Sequence, residues 1–335
     1  MVHFGHRWCC LLIVLGCIAS LIPELRSEIR GVRLYKTTYY DLRDVAENLG
    51  MDHTWVDFGK DARLKSRWSN MDFALHQRKF LLNDLKISLG NPVALHRGVL
   101  HISRIDFEKT LSPILTPHIF PDPSRLYRIV IDPGHGGKDA GAENRALGLK
   151  EKILTLDVAR RLKVNLEAYG YEVHLTRSKD TYVPLKERAR YANRVKADLF
   201  ISIHFNATES SNVQGIECYT FTPQYQPSSS RSRLHSSDKK FYPANKNDTW
   251  NQLAGFCLQK KLVRDLGSVD RGLKRARWTV LRELECPGVL VELGFVTSRD
   301  ESKRMVQSSH RQKLADSLTR GVLFYQKKLN ELRQT

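Results

Sequence analysis

The sequence predicts a layered α/β domain with a mostly parallel central sheet flanked by helices, preceded by a small α+β domain. Three observations carry this prediction. From Tyr127 onward, apolar strand-like runs alternate with helical stretches, the rhythm of a parallel sheet with crossover helices. Residues 28–118 instead break into short β-like pieces. Between the two, Pro117, Pro121 and Pro123 deny backbone donors and interrupt any regular element, so residues 119–127 read as a linker. A length of 335 residues suits two domains of this kind, and 41% hydrophobic content supplies real cores, which excludes a mainly disordered or fibrous chain.

The N-terminus reads as an address. His3, His6 and Arg7 precede an uncharged run from Cys9 to Ile22, and Pro23, Glu24 and Arg26 follow. A weakly positive start, an apolar stretch too short to span a bilayer and a polar exit make residues 1–27 a secretory signal. Val14-Leu15-Gly16-Cys17 also has the form of a lipoprotein box, which would put an acyl anchor on Cys17. No later apolar run is long enough for a transmembrane span. Only Cys218, Cys257 and Cys286 then remain; without a C-x-x-C spacing they make no zinc knuckle and read as small buried hydrophobes.

In residues 28–118 the strand-like pieces are Val32–Tyr35, Thr54–Phe58, Phe73–Leu75, Leu85–Ile87 and Gly98–Ile102. Helical stretches near 41–49 and 104–111 accompany them. Beyond the linker the expected order is strand 128–132, helix 152–169, strand 171–177, helix 185–195, strand 198–205 and strand 216–222. Then come helix 251–266, strands 279–284 and 289–295, and a closing helix 311–332. Residues 223–247, rich in Ser, Lys and Arg, form a polar insertion expected to be a long surface loop or flap.

The charge balance sets the partner class. Lys and Arg number 54 against 36 Asp and Glu, a net charge of +18 that lies mostly beyond residue 128. Such a surface favours an anionic polymer: nucleic acid, acidic lipid or an anionic cell wall. An export signal and the lack of aromatic residues among Lys260, Lys261, Arg264, Arg271, Lys274, Arg275, Arg277 and Arg282 argue against nucleic acid.

The chemistry concentrates at strand ends. Ile129-Val130-Ile131-Asp132 runs into Pro133-Gly134-His135-Gly136-Gly137, and Leu199 to Ile203 runs into His204-Phe205-Asn206. Ligands in open α/β sheets sit beyond the carboxyl ends of strands. A phosphate cradle is not indicated, because no Gly-Lys-Ser/Thr follows and the G-x-G-x-x-G spacing is absent. Two histidines so placed point to a metal, and a catalytic zinc site asks for a third protein ligand. Asp139, Glu143 and Glu151 are all close enough in sequence to supply it. A fourth acid, Glu292, lies inside the apolar run Gly288 to Phe295, where desolvation would raise its pKa toward the range of a general base.

These motifs resemble the zinc-dependent N-acetylmuramoyl-L-alanine amidases of the amidase_3 family: His135 in DPGHGG, Glu151 in GLKEK, His204 in SIHFNA and Glu292 in VLVELGF. The stretches Leu175-Thr176-Arg177, Leu185 to Arg188, Ala192-Asn193, Arg271 to Lys274 and Val280-Leu281 fit as well. The resemblance covers about 200 residues from Arg128 and implies that His135, Glu151 and His204 hold Zn²⁺. It further implies that Glu292 is the catalytic base, that the substrate is peptidoglycan, cut between N-acetylmuramic acid and L-alanine, and that the setting is the periplasm or cell envelope. An activator protein is a further partner to expect. Asn206, Arg271 and Lys274 are the candidates for substrate binding. The long 223–247 segment departs from the family pattern. Residues 28–118 more loosely resemble the N-terminal domain of copper amine oxidases, through Leu42-Arg43-Asp44-Val45-Ala46 and Pro92-Val93. Two alternatives share part of these features: a zinc peptidase acting on stem peptides, and a wall-binding protein without catalysis.

Overall fold

The computed structural model describes residues 29–121 and 125–333; the expected signal and the lipoprotein box at Cys17 lie outside them. The first region holds β1 (Gly31–Leu34), β2 (Thr37–Asp41), α1 (Leu42–Asn48), β3 (Asp52–Asp57), β4 (Asp61–Lys65) and β5 (Asn70–Ala74). It continues with β6 (Lys79–Leu82), β7 (Leu85–Ser88), β8 (Ala94–His96) and β9 (Val99–Ser103). The short helices α2 (Arg104–Asp106) and α3 (Ser112–Leu115) flank a wider helical turn, Phe107–Leu111. Asp41 caps α1 by accepting from the Arg43 N–H, and Ser103 caps α2 through Asp106.

The second region begins with β10 (Arg128–Pro133), the two-residue strands β11 (Glu143–Asn144) and β12 (Leu149–Lys150), and helix α4 (Glu151–Ala168). Next are β13 (Glu172–Leu175), α5 (Leu185–Arg194), β14 (Leu199–Asn206), β15 (Ile216–Phe221) and α6 (Asp248–Leu266). The chain closes with β16 (Asp270–Ala276), α7 (Thr279–Arg282), β17 (Gly288–Phe295), α8 (Arg299–Val306) and α9 (Ser308–Leu332).

Strands β13-β10-β14-β17 are parallel, β15 joins β17 antiparallel, and β16 is parallel to β15. The parallel strands are apolar along their length because helices cover both faces. Ile129, Ile131, Ile201, Ile203, Val289 and Val291 pack toward α4, α6 and α9. Val130, Phe200, Phe221 and Leu290 face the other way, onto α5 and α7, in a smaller core. Residues 132, 202, 204, 217 and 292 share this second face by the alternation of a strand, so the thinner side of the sheet is where polar groups accumulate.

Three findings modify the expectations. The predicted strand 279–284 is a helical turn, α7, because Val280 and Leu281 bury into the smaller core; an apolar run this short does not distinguish the two conformations. Charged β16 escaped notice, and it is the strand that joins the two regions. Ile87 of β7 registers with Leu273, and the Lys86 N–H donates to Asp270 at 2.6 Å, so the meander β7-β6-β5-β4-β3 extends the same sheet to eleven strands.

Residues 223–247 are also no free flap. Gln226, Asp238 and Asn245 are buried, and Arg275 donates to Gln226 at 2.6 Å while Gln226 donates to Asp106 at 2.8 Å. Arg277 pairs with Asp238 at 2.8 Å. The insertion stitches the N-terminal region to the second one. Cys218, Cys257 and Cys286 are buried free thiols, as expected. Among the described residues no helix is long and apolar enough to cross a membrane.

Candidate active site

Two buried arginines shape the turn after β10. Arg188 pairs with Asp132 at 2.7 Å and donates to the Pro133 and His135 carbonyls, each at 2.8 Å. Arg177 donates to the Pro133 and Gly134 carbonyls at 2.9 and 2.8 Å. Held this way, His135 takes φ of +62°, a conformation that side-chain-bearing residues rarely adopt. Glycines admit the close approach: a Cβ on Gly134 would lie 2.3 Å from the His204 ring, and one on Gly141 would lie 2.6 Å from Glu151 Oε2. The glycine-rich turn therefore makes room for side chains.

His135, Glu151 and His204 converge. Glu151 Oε1 lies 3.1 Å from His135 Nε2 and 3.0 Å from His204 Nδ1, and the two rings are 4.9 Å apart. They form a group able to hold a metal ion, with one ligand atom from each residue within 4.8 Å of the others. Ligands about 2.0–2.2 Å from one tetrahedral ion would lie about 3.3–3.5 Å from one another, so the spacing and the mixed imidazole and carboxylate donors fit zinc. Of the other acids considered, Asp139 accepts from His135 Nδ1 at 2.9 Å and orients the ring from behind, whereas Glu143 is exposed on β11.

Glu151, the first residue of α4, is 4% exposed. Its Oε1 accepts from the Phe205 N–H at 3.0 Å and its Oε2 from the Ala142 N–H at 2.8 Å. Burial opposes ionisation, but hydrogen bonds and charge from His135 and His204 outweigh it and hold this carboxyl well below the usual range. For His135, burial acts against protonation, and Glu151 and Asp139 raise its pKa above the ordinary value.

Glu292 is the opposite case. It registers with His204 on β14 and with Glu217 on β15, and its Oε2 has no hydrogen-bond partner among the described residues. Burial, then the nearby Glu151 and Glu217, hold its carboxyl well above the usual range against the pull of Lys274. Beyond it Glu217, 2% exposed, accepts from Asn206 at 2.9 Å, Tyr219 at 2.8 Å and Arg271 at 3.2 Å, and also from Lys274. Asn206, Arg271 and Lys274 thus all meet on one carboxylate that sequence reasoning missed. Its alternation with Ile216 and Cys218 reads as an outward-facing strand position, and its cationic partners are more than fifty residues away.

A parallel sheet that gathers two imidazoles and a carboxylate at its strand ends, with a desolvated acid alongside, defines a class: α/β domains with a group able to hold a metal ion beside a buried carboxyl. The family model for N-acetylmuramoyl-L-alanine amidase, Amidase_3, matches residues 129–323, more than half of the chain. The chain belongs to that family.

It is 36% identical to the N-acetylmuramoyl-L-alanine amidase LytC of Bacillus subtilis over 197 residues, covering 59% of this chain and 35% of LytC. It is 31% identical to AmiA of Escherichia coli over 218 residues, covering 59% of this chain and 75% of AmiA. A crystal structure of an N-acetylmuramoyl-L-alanine amidase from Clostridium difficile 630 superposes with a TM-score of 0.50 at 31% identity, covering 60% of this chain and 97% of that one. The chain spans from about a third to three-fifths of the length of several of the curated relatives it matches.

Proposed function

We propose that this protein is a zinc-dependent peptidoglycan hydrolase that cleaves the amide bond between N-acetylmuramic acid and the L-alanine of the stem peptide. The observation that carries the reading is the desolvated Glu292 carboxyl, whose Oε2 has no hydrogen-bond partner among the described residues, registered beside His204 of the His135, Glu151 and His204 cluster. Those three residues would hold the ion. When bound, zinc would supply Lewis acidity to the amide carbonyl and lower the pKa of a water toward about 7.

The chain's own groups do the rest. Glu292 Oε2 takes the proton of the attacking water, because its burial makes it a stronger base than an exposed carboxylate. The same carboxyl then hands that proton to the departing amine nitrogen of L-alanine. Asp139 fixes His135 Nδ1 as a donor, which leaves Nε2 facing the cluster. Arg177 and Arg188 keep the turn from relaxing.

The proposal includes an exported protein acting in the periplasm or cell envelope, with residues 1–27 as signal and lipidation at Cys17 as a variant of it. Residues 28–118 act as an accessory module to the catalytic domain 128–335, and an activator protein is a partner to seek.

The test is direct. Purified protein should release stem peptides from peptidoglycan, stop with a chelator and recover with zinc. Glu292→Gln should retain stoichiometric zinc and release almost nothing. A fully active Glu292→Gln protein would remove the assigned base, and activity indifferent to chelation would remove the metal.

A further inference from the structure

The strand order β10-β14-β17-β15-β16 sets the groups of the site in a row: His135, His204, Glu292, Glu217, and then Arg271 with Lys274. Glu217 has no role in the hydrolysis derived above, although it is buried and saturated by four donors. Tyr219, whose phenol burial and Glu217 keep protonated, and Asn206 bind Oε1; Arg271 and Lys274 bind Oε2.

Two cations thus share the one carboxylate oxygen that both hydrogen-bond. Neither is withdrawn from solvent, since the Arg271 and Lys274 side chains are 34% and 24% exposed. Both are also braced over rings, Arg271 over Phe295 at 4.9 Å and Lys274 over Tyr219 at 5.7 Å. Each keeps donors that Glu217 does not use: two N–H groups of the Lys274 ammonium, and Nη2 of the Arg271 guanidinium, whose Nη1 donates to the Gln214 carbonyl at 3.5 Å. A pre-positioned, half-buried pair of cations with spare donors is a receptor for a carboxylate.

Position narrows the ligand. Strands lie about 4.8 Å apart, so β16 stands roughly 10 Å from β17, where Glu292 works. An extended peptide covers that in about two to three residues. We propose that Arg271 and Lys274, held in place by Glu217, bind a free carboxylate of the stem peptide close beyond the cleaved amide. The two cations then determine specificity, and Glu217 is a positioning residue. This inference rests on the amidase reading of the site.

The test uses the zinc-loaded full chain and two N-acetylmuramoyl dipeptides that differ only in whether the α-carboxyl of the second residue is free or amidated. The free acid should show a KM lower by about tenfold with a similar kcat, the size of one charge-assisted contact. Glu217→Gln and Lys274→Gln should bring the KM ratio toward one, and Lys274→Arg should restore it. A purely structural Glu217 would weaken both substrates equally. Equal KM values in the unaltered protein, or a ratio untouched by Lys274→Gln, would overturn the assignment. Calorimetry with the free and amidated L-alanyl dipeptides separates this result from catalysis. Selective binding without any cleavage would reject the amidase and keep the receptor, whereas cleavage with no selectivity would reject the receptor and keep the amidase.

Discussion

The two sides of the site carry the same side chain in opposite states. On one side Glu151 is ringed by two backbone N–H groups and two imidazoles, and its carboxyl is held below the usual range. On the other, Glu292 is comparably buried, its Oε2 has no hydrogen-bond partner among the described residues, and its carboxyl is held above that range. Burial is common to both, so the neighbours decide: imidazoles and N–H donors around Glu151, two further carboxylates beside Glu292. A carboxylate wrapped in donors suits a fixed ligand, and one left bare suits a group that must take and release a proton.

The strongest way to break this contrast is to remove the donor-ringed side. His204→Ala or Glu151→Gln should lose stoichiometric zinc and with it all hydrolysis; metal analysis of the purified variants checks this, and full zinc in both would reject the ligand set. Next in size is the bare side: Glu292→Gln should keep its zinc and lose activity by about 10²- to 10⁴-fold, read as initial rates on the same wall preparation. A smaller effect is expected behind the ligands. Asp139→Asn leaves the cluster in place but weakens the orientation of His135, and should lower zinc affinity by about 10- to 100-fold in a competition titration.

The smallest effect sharpens the contrast in metal-free protein. The raised folded pKa of Glu292 means that its contribution to stability is full below the unfolded value of 4.5 and is lost as pH rises through the folded one. Glu292→Gln should therefore melt above the unaltered protein near pH 7, with a gap that narrows toward pH 4.5. The lowered pKa of Glu151 works in reverse: its contribution is present above 4.5 and is lost as pH falls. Glu151→Gln should melt lower at pH 7 and converge in acid. Melting curves with chelator across this range read both signs, and a Glu292→Gln gap that widens in acid would contradict the assignment.

What the sequence made legible follows from the same physics. Parallel strands buried on both faces show as unbroken apolar runs, so β10, β14 and β17 stood out, with His135 and His204 at the ends of the first two and Glu292 inside the third. Elements held by distant partners did not. Asp270–Ala276 looks too charged for an inner strand until Asp270 is seen bonding Lys86 and Arg275 bonding Gln226. The insertion looks like solvent-facing loop because Gln226 and Asp238 are polar; they are buried only because Arg275 and Arg277 meet them there. Glu217 was hidden for the same reason, since one residue type at a strand position does not announce two cations from the next strand.

The mass of the products from a defined disaccharide peptide identifies the bond broken. An amidase releases an intact disaccharide and an intact stem peptide with a free N-terminal alanine, together heavier than the substrate by one water, and this is the expected result. A shortened stem still joined to muramic acid, or a substrate bound and returned whole, would contradict it.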